Sequence, residues 1–150
     1  MADNITTEER SEIMARVKSK GNKPELLVRK YLYHHGYRYR VNVAALPGKP
    51  DIVLRKYGAV IFVNGCFWHR HPYCKNTRTP KTNVEFWEQK FRRNADRDKR
   101  NYEELEKRGW KVIVVWECQV KKDLESTMKR VTNDLDANFI ELVTTRKKIL

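Results

Sequence analysis

All three cysteines of the chain fall at two places. Cys66 and Cys74 bracket the loop Cys66-Phe67-Trp68-His69-Arg70-His71-Pro72-Tyr73-Cys74, and Cys118 lies at the end of a distant apolar run, Val112 to Trp116. With His71 they make a Cys₃His set of the kind that holds zinc in a tetrahedron of soft and borderline ligands. A disulfide scheme leaves one thiol over, and nothing marks the chain as secreted. Three unrelated buried cysteines are the other reading, since free Cys is a common core residue. With all four positions filled by protein, the zinc is expected to be structural. It would tie residue 118 back onto the loop.

The loop follows a pair of apolar runs. Lys49-Pro50-Asp51 opens Ile52-Val53-Leu54, a turn falls at Tyr57-Gly58, and Ala59 to Val63 stops at Asn64-Gly65. Pro50 cannot donate to a ladder, so it belongs at the start of a strand. Asp51 is thereby placed at a strand entrance. His69 is spare once His71 is assigned to zinc. It sits off any apolar face, beside two large aromatics.

Upstream, Thr6-Thr7-Glu8-Glu9 has the form of a capping box for a helix through about Val17. Met14 reads from its spacing as a core contact. A basic linker, Lys18 to Lys23, leads to a helix from about Pro24 that Gly36 closes. Glu25 reads as a first-turn acid, and His34 and His35 as helix-end residues, not ligands. Tyr37 to Val41 alternates like a strand.

Downstream, Thr82-Asn83-Val84-Glu85 resembles a second capping box. The long helix after it puts Val84, Trp87, Phe91, Ala95, Tyr102 and Leu105 on one broad face, so that Trp87 reads as core. Arg108-Gly109 ends it. Trp110 to Trp116 reads as a buried strand. An amphipathic helix is expected from Lys121 to about Phe139, and the basic tail over 140–150 could be flexible. Phe67 and Trp68 are costly to expose in a loop; packing under a zinc knuckle is one reading of them.

Pro50-Asp51, Phe62-Val63-x-Gly65-Cys66-Phe67-Trp68-His69-x-His71 and Val115-Trp116-Glu117-Cys118 resemble the very-short-patch mismatch repair endonucleases, from about Arg10 to Cys118. Those bacterial enzymes nick DNA beside a thymine mispaired with guanine. The resemblance implies a PD-(D/E)xK-like nuclease core, with Mg²⁺ on Asp51 and on the backbone carbonyl at Val63. The acidic-x-lysine of that superfamily is missing here, and histidines take over the proton work. It further implies His69 as general base, Glu25 as an active-site carboxylate, and Met14, Phe67 and Trp68 as wedges into the base stack, with Trp87 near the DNA. Two departures stand out. Asn64 replaces a histidine, so it can position a group but cannot shuttle a proton near neutrality. One extra residue lies between His71 and Cys74.

The net charge of +13 points to a polyanionic partner, and Lys90, Arg92, Arg93, Arg97, Lys99 and Arg100 share the outer face of the long helix. No apolar run is as long as a membrane span, and the N-terminus lacks the pattern of a signal peptide. The chain reads as cytosolic, reduced and, by resemblance, bacterial and associated with the nucleoid through DNA.

The expectation is one α/β restriction-endonuclease-like domain over 1–150, with residues 1–20 as a DNA-contacting arm. A mixed sheet of Tyr37–Val41, Ile52–Leu54, Ala59–Val63 and Lys111–Trp116 would be flanked by helices and carry a structural zinc loop. The expected function is Mg²⁺-dependent nicking 5′ of the thymine in a T·G mismatch by a monomer. Mismatch-repair proteins and a paired cytosine methyltransferase are the expected partners. The rival readings are a restriction- or homing-type nuclease that cuts matched DNA, and a non-catalytic zinc-containing DNA-binding module.

Overall fold

The computed structural model describes residues 23–149. The expected capping box at Thr6, the helix through Val17, Met14 and the 1–20 arm lie outside them. Helix α1 (Lys23–His34) carries Pro24 in its first turn, where a missing N–H costs nothing, beside Glu25. Gly36, at φ +88°, takes the left-handed conformation that stops it. The chain then turns back, and the Tyr37 N–H donates to Leu32 O at 2.9 Å.

Four strands form one sheet in the order β1 (Arg40–Val41), β2 (Ile52–Leu54), β3 (Ala59–Asn64) and β4 (Lys111–Trp116). The first three are antiparallel neighbours, and β3 pairs with β4 in parallel. The sheet is therefore mixed, as expected. Its first strand is shorter than Tyr37–Val41. The Tyr37 hydroxyl instead donates to Asp136 at 2.8 Å, and that of Tyr39 to the Arg29 carbonyl. The β2–β3 turn needs Gly58: its φ is +62°, and a Cβ there would meet the Leu142 side chain at 2.7 Å.

The two-residue period of the strands sorts their side chains onto two faces. Ile52, Leu54, Ala59, Ile61, Ile113 and Val115 pack against Val28 and Leu32 of α1, and against Val120, Met128, Val131 and Leu135. These last four come from α4 (Glu117–Lys122) and α5 (Leu124–Ile149). Each fully buried Leu, Ile or Met there stabilises the fold by about 1.5–3 kcal/mol. Val53, Val60 and Phe62 face the other way, onto Leu105 and Tyr102 of α3 (Val84–Lys107). On that face, where α3 packs with Val43 and Leu46, Val112 and Val114 are only half-buried, and β4 alternates where a fully buried strand was expected.

Three helix boundaries differ from the sequence reading. Asn83, not Thr82, precedes α3, in a left-handed conformation and without a side-chain cap. The expected helix from Lys121 is two helices broken at Asp123, whose carboxylate accepts from the Ser126 N–H. The second runs past Phe139 through residues 140–149.

Candidate active site and metal centre

The polar ends of β2 and β3 meet where the apolar alternation stops. Asp51, one residue before β2, accepts a hydrogen bond from the Val63 N–H on Oδ2 at 2.7 Å. Burial pushes the Asp51 carboxyl up to about 6; the Val63 bond pulls down, and the nearby Glu25 carboxyl pushes up. Glu25 is itself buried and ion-paired with Arg29 at 3.5 Å. Two carboxyls in reach of one another under poor hydration favour a shared proton or a cation. Their all-oxygen character, with the Val63 end of β3 beside them, suits a hard divalent ion.

Asn64 is the next residue on β3 and so faces the opposite way, towards α3. Its Nδ2 donates to the Tyr102 hydroxyl at 2.9 Å. Burial, then the charges of Asp98 and Asp51, push the Tyr102 phenol up to about 12, while the Asn64 bond pulls it down. A cleft of about 440 Å³ opens there, lined by Asn64, His69, Asp98 and Tyr102 among others.

Beyond Gly65 the chain makes one short helix, α2 (Cys66–His69), ended by Arg70 in the left-handed region. That turn delivers His69 to the cleft. Its Nδ1 lies 2.5 Å from Oδ2 of Asp98 on α3. Asp98 therefore fixes the His69 ring through Nδ1. With Nδ1–H donating to the carboxylate, Nε2 is left as the acceptor. The signal for Asp98 was its phase: Phe91, Asp98, Tyr102 and Leu105 recur at helical spacing. The surrounding run of charge hides it.

Sulfur and nitrogen atoms of Cys66, His71, Cys74 and Cys118 lie within 4.8 Å of one another. The His71 Nδ1 is 3.9 Å from the Cys66 sulfur and 3.3 Å from that of Cys118. A zinc tetrahedron with bonds of about 2.3 Å to S and 2.0 Å to N has S···N edges of roughly 3.5 Å, so the four residues fit such an ion. Cys118 reaches the loop because β4 runs parallel to β3 and turns directly into α4. Trp116 stacks on His71 at 4.4 Å. Burial pushes the Cys66 thiol up to about 12 and lowers His71.

Phe67 and Trp68 form the other side of α2. Phe67 packs edge-on against Phe91 at 5.1 Å and Trp87 at 5.8 Å, and Trp68 is tilted against Trp87 at 5.9 Å. Phe67 is half-buried in this cluster, while Trp68 and Phe86 are exposed. Trp87 is thus part of the cluster and not of the core below the sheet. Arg70 lies over the Phe91 ring at 4.1 Å, and Lys90 over Trp68 at 5.0 Å.

The family profile of the DNA mismatch endonuclease Vsr matches residues 2–75. The chain is 52% identical over 121 residues to the type II nicking enzyme V.NmeAIP of Neisseria meningitidis, covering 81% of this chain and 86% of that protein. It is 37% identical over 136 residues to the DNA mismatch endonuclease Vsr of Escherichia coli, 91% of this chain and 86% of that one. The chain belongs to the Vsr endonuclease family. A third member, the type II nicking enzyme V.XorIIP of Xanthomonas oryzae, is 41% identical over 91% of this chain and 98% of its own length. The Vsr fold is therefore an α/β nuclease core, and its relatives are DNA endonucleases. Among the described residues of this Vsr family chain, no helix is long and apolar enough to cross a membrane.

Proposed function

We propose that this chain nicks double-stranded DNA 5′ of the thymine in a T·G mismatch, in a Mg²⁺-dependent reaction that opens very short patch repair. The single observation that carries the reading is the hydrogen-bonded His69–Asp98 pair beside an aromatic tip, with the buried Asp51 carboxyl near enough to feel the His69 charge. Asp51, with the Val63 carbonyl, holds Mg²⁺, and the neighbouring Glu25 carboxyl supports that site. Magnesium, when bound, stabilises charge on the phosphate and on the leaving oxygen.

His69 takes the proton of the attacking water on Nε2, held in orientation by Asp98 through Nδ1. Asn64 has no proton to move and acts by position. Zinc on Cys66, His71, Cys74 and Cys118 anchors both ends of the loop, so that Phe67 and Trp68 present a fixed edge to the stack. A mismatched step is cheaper to open than a paired one, so wedging doubles as recognition. Met14 wedges into the stack from the minor-groove side, and Trp87 lies near the DNA.

The Lys and Arg residues on the outer face of α3 track phosphates, a salt-dependent term. The protein works as a single domain, with residues 1–20 as an arm on the DNA. A cytosine methyltransferase whose products deaminate to thymine is its natural functional pair, and mismatch-repair proteins are the proposed protein partners. The test is to compare Asp51→Ala and His69→Ala with wild type on a labelled T·G duplex. Both variants should bind the duplex and fail to nick it. Undiminished nicking by either would overturn the assignment.

A further inference from the structure

We propose that Tyr102 is a further catalytic residue, whose hydroxyl, held by Asn64, donates a hydrogen bond to a non-bridging oxygen of the scissile phosphate. The inference rests on the reading above that His69, in this cleft, and the nearby Asp51 hydrolyse a phosphodiester. The Asn64 Nδ2–H occupies one lone pair of the Tyr102 oxygen at 2.9 Å. The phenol's own hydrogen is not used in that bond. No acceptor among the described residues takes it, although the side chain is largely buried and lines the cleft. A hydroxyl that faces a cleft with its hydrogen unused inside the protein can donate to a ligand that enters it.

Position makes the substrate phosphate that partner. Tyr102 sits one helical turn after Asp98 on α3, so the donor and the acid that orients His69 share one rigid face. The ring is wedged against Phe62 on β3, with centroids 4.9 Å apart. The same cleft carries Asp98, Glu103 and Glu106 together with the cationic Arg70 and Lys99. A phosphate that enters it meets both signs of charge, and a donor already aimed at its oxygen adds directed stabilisation. Asn64 cannot move a proton, but it can aim this hydroxyl. No proton leaves Tyr102. His69 takes the water's proton, a P–O bond forms as the bond to the leaving oxygen breaks, the leaving oxygen takes a proton from solvent, and the phenol donates its hydrogen to the charge that builds on the non-bridging oxygen.

The test uses Tyr102→Phe, which keeps the ring and its packing, on T·G duplexes whose scissile phosphate is either normal or an Rp or Sp phosphorothioate. With the normal phosphate, kcat should fall roughly ten- to hundredfold, while affinity for the duplex, read by fluorescence anisotropy without Mg²⁺, stays within about twofold. The loss should shrink on one phosphorothioate diastereomer only, because sulfur accepts a hydrogen bond poorly. An equal loss on all three substrates would mark a merely structural tyrosine and overturn the inference. A kcat within about twofold of wild type would do the same. Failure of the wild type to nick any duplex would overturn the underlying reading, and the inference with it.

Discussion

His69 and Asp98 meet through one short hydrogen bond, Nδ1 to Oδ2 at 2.5 Å, across 29 residues of sequence. One partner sits at the end of a four-residue helix and the other on the long helix that covers one face of the sheet. Asp98→Asn should therefore leave the fold and DNA affinity nearly intact. It should slow nicking by roughly a hundredfold, because general-base work depends on orientation and tautomer. Asp98→Glu should recover part of the rate. Single-turnover rates across pH would check both.

The zinc set makes a separate prediction. Metal analysis of the purified protein should find about one zinc per chain, bound by thiolates. Cys118→Ser should empty the site, because it removes the ligand that arrives from β4. The sheet has its own core, so far-ultraviolet circular dichroism should survive. The melting temperature and nicking should both fall.

Asp51 links pH to stability. Its folded value, about 6, lies above the ordinary 3.8. The group thus favours the folded state most below about pH 4, and that contribution is lost as pH rises through about 6. At pH 7.5 without Mg²⁺, Asp51→Asn should melt roughly 3–6 °C higher than wild type, the effect of about 1–2 kcal/mol in a chain of this size. Added Mg²⁺ should raise the wild type and leave the variant unmoved. Thermal melts with and without the ion test both signs.

The aromatic tip should separate recognition from chemistry. Stacking on a base is worth about 1–3 kcal/mol. Trp68→Ala should therefore weaken binding to a T·G duplex by roughly ten- to a hundredfold. It should weaken matched-duplex binding much less. Phe67→Ala should also loosen the cluster with Trp87 and Phe91 and so lower the melting temperature more than Trp68→Ala, whose ring is more exposed. Anisotropy titrations and melts of the two variants distinguish them.

Much of this was legible in the sequence because period and punctuation agree. The unbroken apolar run Val60-Ile61-Phe62-Val63, with Gly58 and Gly65 at the ends, places both the sheet and its polar exit. The Cys₃His spacing anticipates that residue 118 returns to the loop. What stayed hidden was tertiary. Asp98 lies in a run of charge whose outer members face solvent, and only packing of α3 on β4 turns it inward. Tyr102 looked like one more core residue, because its hydroxyl matters only once Asn64 is opposite. The second half of the long C-terminal helix was missed because the basic residues near its end read as a tail, although α5 continues to Ile149.

The most direct measurement is the position of the nick on end-labelled duplexes carrying T·G, T·A or C·G at one site, with zinc-replete protein and Mg²⁺. The account requires a single cut, 5′ of the thymine, on the T·G duplex alone. Cutting of both strands of matched DNA, or binding without cleavage in every context and with every divalent metal, would contradict it.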